Sequence, residues 1–187
     1  MIPRILTALH DAINSVPTST EPPALYPAVR SQAIGKTAAM KAAAISGALA
    51  VPPGPAGLLT LIPDLLLIWR IQGQMVADVA GAYGKRVHLT PEGMMYCLFK
   101  HAAAQAVRSV VVVGGGRLLI RRATPELLGK AIERVGVSLT ERLATKAVSR
   151  WLPVVGAVGV GAYAYYDTKR ISQTARETFA SDVTLDN

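Results

Sequence analysis

Apolar residues along this chain recur at helical spacing, in long blocks that proline and glycine separate. Residues 2–15 read as a short helix ended at Val16-Pro17, and Pro17 to Pro23 as a polar, proline-rich loop. A second helix is expected from about Ala24 to Ala50. Val51-Pro-Pro-Gly-Pro-Ala-Gly57 then stops it, because proline lacks the amide donor and clashes with the preceding turn. Helix resumes near Leu58 and runs to Tyr83-Gly84, where Gly84 can adopt the left-handed conformation that closes helices. Thr90-Pro91-Glu92 combines a capping hydroxyl, a first-turn proline and an acid at the positive dipole end. The helix it opens is expected to reach about Arg122.

Thr124-Pro125-Glu126 repeats that start signal for a helix ending at Gly136, and Ser138-Leu-Thr-Glu141 is a capping box for another, to about Arg150. The last helix starts around Trp151-Leu-Pro153 and ends near Phe179. Val110–Val113 is the one strand candidate, but a strand there has no visible pairing partner, so helix is expected instead. The pattern predicts an all-α, compact bundle of about five to seven helices with a Pro/Gly-broken apolar hairpin. Residues 1–23 form its leading helix and loop, residues 24–180 the helical domain, and 181–187 a disordered tail.

The longest stretch without a charged side chain, Ala42 to Pro63, has the length of a membrane span, about 20 residues. Pro52, Pro53 and Pro55 divide it into two half-length helices, which suits a buried or re-entrant hairpin better. Trp151 to Tyr166 is charge-free for 16 residues and short for crossing a bilayer. The N-terminal segment is a poor signal peptide, since His10, Asp11 and Asn14 break its apolar run.

Composition sharpens this picture. Hydrophobic residues make up 51% and charged residues only 17% of the chain, with a net charge of +8. Such a surplus favours anionic partners. It is also localised: Arg108 to Arg150 holds nine basic residues against three acids. Within that stretch Arg142, Lys146 and Arg150 repeat at i, i+4, i+8 and end beside Trp151. A basic helical stripe with a terminal tryptophan is the form of an interfacial membrane helix, so these four residues are the candidate contact for anionic lipid. The basic region lacks interleaved aromatic residues or a recognisable nucleic-acid module, so nucleic acid is not an expected partner.

A second candidate lies on the helix after Asp64. At ~100° per residue, Arg70, Gln74 and Asp78 fall on one ridge, with Asp64 about one position round. This polar seam crosses an otherwise apolar helix. It either lines a cavity with polar anchors or marks the helix's solvated face. The remaining motifs fail on spacing. Gly35-Lys36-Thr37 lacks the glycine a phosphate-binding loop needs five positions earlier, where Arg30 stands. Val113-Gly-Gly-Gly-Arg117 lacks the third glycine of a dinucleotide turn. Cys97 and His101 stand one helical turn apart, a half-site for a metal at most, and no further ligand follows at helical spacing. The single cysteine excludes an internal disulfide. No catalytic constellation and no cofactor are implied.

Two segments, in this order, resemble the EcsC protein family. The first runs from Gly54-Pro-Ala-Gly57 through Ile62-Pro63-Asp64 to Tyr83-Gly84. The second is Leu152-Pro-Val-Val-Gly156-Ala157 with Gly159, Gly161, Asp167, Ala175 and Phe179. Together they cover roughly a third of the chain. The resemblance implies a helical bacterial protein, cytoplasmic or membrane-associated, with no catalytic residues to carry over, and shorter at its N-terminus than typical members. Taken with the charge pattern, it leads to an expected role as a non-enzymatic protein of the bacterial cytoplasm, peripheral to the inner membrane. The expected partner is an anionic membrane surface or a membrane protein. Two alternatives stand beside it: a soluble bundle that binds a lipid or other apolar ligand, with Arg70 and Asp78 as anchors, and a toxin- or immunity-like protein whose Ala42–Pro63 hairpin inserts.

Overall fold

The computed structural model describes residues 15–50, 61–101, 111–114, 117–121, 124, 126–135, 137, 153–181 and 183–186. Among them are five helices: α1 (Pro27–Leu49), α2 (Leu61–Ala82), α3 (Pro91–Phe99), α4 (residues 126–135) and α5 (Pro153–Ala180). All but Ser15 of the expected helix at 2–15, the Val51–Gly57 turn and the helix at 138–150 lie outside the described residues.

Local chemistry sets the observed ends. Pro27 occupies the first turn of α1, where its missing amide costs nothing. Gly84 has φ of 68° and closes α2. Its amide reaches Gly81 O at 2.8 Å and the Lys85 amide reaches Ala80 O at 2.8 Å, the paired bonds of a glycine-terminated helix. The Thr90 hydroxyl accepts from the Gly93 amide at 3.2 Å to open α3. The Thr124 hydroxyl accepts from the Leu127 amide at 3.4 Å to open α4. The Glu126 carboxyl is held below its ordinary range by hydrogen bonds from its own amide and from Thr124.

α1 and α5 run antiparallel and pack closely. The buried stripe of α1 is made of small residues: Ser31, Gly35, Ala38, Ala39, Ala42 and Ser46. Gly35 meets Ser172 so closely that a Cβ on Gly35 would lie 2.8 Å from Ser172 Cβ. Further along, a Cβ on Gly161 would lie 3.0 Å from Ala43 O and 3.6 Å from Gly47 Cα. Small residues at these crossings allow the two backbones to approach, which larger side chains would prevent.

α2 lies against both of these helices and carries most of the core. Its Trp69, Met75, Val76 and Val79 join Met94, Met95 and Phe99 of α3, Ile132 and Val135 of α4, and Ile171 and Phe179 of α5 in one cluster. Trp69 and Phe99 meet edge to face with ring centroids 5.8 Å apart. Residues 15–26 cross the C-terminal half of α2 as a strap. The Ala24 amide donates to Ala82 O at 2.9 Å, and Gly81 admits the strap because a Cβ there would lie 2.8 Å from Glu21 O.

Two expectations are corrected. The helix opened by Thr90 does not reach Arg122: α3 ends at Phe99, and Val111–Gly114 (β1) and Arg117–Arg121 (β2) form an antiparallel pair. The 181–187 tail is not without structure either, because Val183–Asp186 (β3) pairs in parallel with β2. The valine-rich strand therefore has a partner, β2, which follows it closely and is itself flanked on its other side by β3. The β-branched run prefers a pleated surface once such a partner exists. The result is a helical bundle with a small sheet in the order β1-β2-β3 appended. No described helix is long and apolar enough to cross a membrane.

The crossing at Gly35 generates a test. Gly35→Ala improves helix propensity by about 1 kcal/mol, but overpacking against buried Ser172 costs about 1–3 kcal/mol. With a Cβ 2.8 Å from Ser172 Cβ the upper part of that cost applies, so the expected net loss is up to about 2 kcal/mol, read as a Tm lower by several degrees. Adding Ser172→Gly should recover part of it; an unchanged Tm in Gly35→Ala would show that the helices are not in close contact there.

Candidate functional site

Two clefts open on either flank of the buried stripe of α1, and their polar residues differ in how far they are already engaged. The first lies between α1 and α2, has a volume of about 430 Å³, and collects three residues of the expected polar seam: Arg70, Gln74 and Asp78. Its apolar floor includes Ile34, Ala38, Ile71 and Met75, the last almost fully buried.

The seam divides in two. Asp78 Oδ1 accepts from Ser19 Oγ at 2.7 Å and from Gln74 Nε2 at 2.9 Å, and Gln74 Nε2 also reaches Thr18 O at 3.3 Å. These two residues therefore tie the strap to α2, a structural duty. Arg30 grips Glu21 with two hydrogen bonds, 2.7 and 2.9 Å, and that guanidinium holds the Glu21 carboxyl below its ordinary range. Arg70 is exposed and, among the described residues, has no carboxylate partner. The side chain of Asp64 lies outside the described residues, as do Arg142, Lys146, Arg150 and Trp151.

The second cleft lies between α1 and the C-terminal half of α5 and is larger, about 800 Å³. Four cations line it: Lys36 from α1, and Lys169, Arg170 and Arg176 from α5. Tyr83, Tyr165 and Tyr166 add rings and hydroxyls. Helical geometry explains the grouping, since residues 169, 170, 173, 176 and 177 share one side of α5 while 28, 32, 35 and 36 share one side of α1. Lys169 Nζ sits 5.8 Å from the centre of the Tyr165 ring. The lining contains one acid, Glu177, which already accepts from Gln173 Nε2 at 2.9 Å and pairs with Lys100 at 3.7 Å. Among the described residues Lys36, Arg170 and Arg176 pair with no carboxylate. Arg176 Nε is buried and has no hydrogen-bond partner among the described residues. Leu25, Tyr26 and Val29 stand exposed where α1 begins, and Tyr166 is exposed on the opposite wall.

This cleft escaped sequence reasoning because its cations are split between positions 36 and 169–176, outside the Arg108–Arg150 surplus. The one local signal was the pair of adjacent cations Lys169-Arg170 one turn after Tyr165-Tyr166.

Cys97 and His101 share a face, as their spacing requires, but both face threonines of α5. Cys97 Sγ lies 3.9 Å from Thr178 Oγ1, and His101 Nε2 lies 2.8 Å from Thr174 Oγ1. Among the described residues no group of three or more His, Cys, Asp or Glu side chains is placed to hold a metal ion. Burial pushes the Cys97 thiol up from its ordinary 9.0 to about 12.

Fold and clefts together define a small-residue-packed helical bundle with a basic, aromatic-walled surface cleft between α1 and α5. No protein family, curated protein or solved structure matches this chain.

The thiol supplies a measurable consequence. A thiol reagent at pH 8 should leave Cys97 unmodified in the folded protein and label it in denaturant, because the thiolate is the reactive form. Its folded pKa is raised, so its share of stability is complete below pH 9 and declines as pH climbs from 9 towards about 12. Rapid labelling of the folded protein at pH 8 would contradict the buried position.

Proposed function

We propose that this is a non-enzymatic helical protein that docks peripherally on an anionic membrane face through the cleft between α1 and α5. The observation that carries the reading is the set of cations Lys36, Arg170 and Arg176, which have no carboxylate partner among the described residues and stand beside exposed Leu25, Tyr26, Val29 and Tyr166. Cations next to protruding apolar and aromatic side chains match the two layers of a membrane interface, charged headgroups above and acyl chains below. The net charge of +8 draws the whole molecule to such a surface. The resemblance to the EcsC family agrees with a membrane-associated role. The basic stripe at Arg142, Lys146 and Arg150 would add to the attraction.

Vesicle flotation tests the proposal. Vesicles containing phosphatidylglycerol should carry the protein at low salt, and less of it at moderate salt; phosphatidylcholine vesicles should not. Each cation near the surface contributes about 1 kcal/mol, so the Lys36→Gln/Arg170→Gln double variant should bind roughly 30-fold more weakly. No recovery of the native protein with anionic vesicles at either salt concentration would sink the proposal.

A second reading is favoured by the smaller cleft, whose apolar floor and exposed Arg70 suit an amphipathic ligand with an anionic end. At about 430 Å³ the cleft falls in the size range of small-molecule sites. It predicts a co-purified lipid-like molecule in native mass spectra, displaced in Arg70→Glu; spectra showing only the bare chain would remove it.

A further inference from the structure

We infer that the cleft between α1 and α5 is a site for a phosphate monoester headgroup, with Arg176 as the group that grips it. The inference rests on the membrane reading above and narrows it, from attraction to any anionic surface to recognition of one headgroup chemistry.

The argument begins with the unmade hydrogen bond. Arg176 is partly buried, and its Nε is shut away from water with no hydrogen-bond partner among the described residues. A buried donor left unpaired is costly, and native structures seldom keep one without a reason. The nearest carboxylate in sequence, Glu177, is not the missing acceptor, because Gln173 and Lys100 hold it. Nε itself is closed to a ligand as it is to water, so what Arg176 brings to the cleft wall is a cation that no carboxylate among the described residues neutralises.

The kind of acceptor follows from the surroundings. A guanidinium offers its N–H groups in a planar fork that matches phosphate oxygens in pairs. Lys36, Lys169 and Arg170 line the same cleft, so Arg176 is one of four cations around one acid that is already engaged. A monoester phosphate carries up to two negative charges and three terminal oxygens, whereas a diester carries one charge and two. Charge and donor number both favour the monoester.

Size and walls indicate that the phosphate arrives on something larger. The volume of about 800 Å³ far exceeds what a bare phosphate fills, and Tyr83, Tyr165 and Tyr166 supply amphipathic walls. Exposed Val29 lies two helical turns from Lys36 on the same side of α1, so apolar surface stands next to the cationic lining. A phospholipid with a terminal phosphate, such as phosphatidate, places its charge among the cations and its acyl chains beside Leu25, Tyr26 and Val29.

Titration calorimetry with short-chain lipids below their micelle concentrations separates this inference from the broader one. Dihexanoyl phosphatidate should bind on the order of tenfold or more tightly than dihexanoyl phosphatidylglycerol. Arg176→Gln should abolish that preference while weakening flotation with phosphatidylglycerol vesicles only about fivefold, the cost of losing one surface cation. Because Arg176 is partly buried, the exposed variant Lys36→Gln/Arg170→Gln serves as a second probe and should weaken phosphatidate binding even if Arg176→Gln does not fold. Equal affinity for the two lipids would overturn the inference and leave membrane docking standing. Full preference retained in Arg176→Gln would overturn the role of Arg176. Inorganic phosphate binding as tightly as the short-chain phosphatidate would overturn the lipid assignment.

Discussion

The close approach of α1 and α5 is the constraint on which the rest of the structure depends. Gly35 against Ser172 and Gly161 against Ala43 and Gly47 bring two long helices nearly backbone to backbone. Dispersion contacts are individually weak, so a pair of smooth helices gains from length and proximity rather than from large side chains. The stripe of Ser, Gly and Ala on α1 buries little area per residue. It positions the bulkier core of α2, α3, α4 and the distal half of α5 on one side. It also leaves α1 narrow enough for a cleft to open along each flank.

α5 adds specificity through buried polar links instead of further apolar area. Gln72 on α2 donates to Asp167 at 3.0 Å and to Thr168 at 3.1 Å. His101 and Cys97 meet Thr174 and Thr178, and the Thr178 hydroxyl donates in turn to Thr174 O at 2.8 Å. Lys85 Nζ reaches Ser181 O at 2.7 Å just beyond the helix end. Each of these groups would be costly to bury unpaired, so together they penalise any rotation or sliding of α5 that would break them. A cleft built on α5 thereby acquires a defined lining, which a loosely packed helix could not provide.

The two clefts show how similar residue types come to different uses. In the smaller one, Asp78, Gln74, Glu21 and Arg30 satisfy one another and the strap, and the polar seam is largely spent on holding residues 15–26 against α2. In the larger one, the cations outnumber the acid, and that acid is turned towards Gln173 and Lys100. The smaller cleft sets Arg30, Lys41 and Arg70 against Glu21 and Asp78, close to balance, whereas the larger sets four cations against one acid, and the stronger imbalance favours a ligand of the opposite sign. This difference, more than the total charge of +8, directs attention to the α1–α5 cleft.

Helices with strong local signals were legible in the chain itself. Pro27 at a first turn, the Thr90 and Thr124 caps and left-handed Gly84 are decided by backbone chemistry within a few residues, so the starts of α1, α3 and α4 and the end of α2 follow from local sequence. The 3.6-residue recurrence of apolar positions likewise placed Arg70, Gln74 and Asp78 on one ridge. Pairing across distance was not legible. Val111–Gly114 is a strand because Arg117–Arg121 lies alongside it, and no local pattern announces that Val183–Asp186 pairs in parallel with Arg117–Arg121 from more than 60 positions away. The cleft between α1 and α5 is of the same kind. Lys36 and Arg176 are 140 positions apart, and only the antiparallel crossing at Gly35 and Ser172 brings them to one cavity. Local sequence determined where helices begin and where Gly84 closes α2, because capping acts over one or two turns; tertiary packing decided where α3 gives way to strands and which side chains share a surface, because that depends on which backbones can approach.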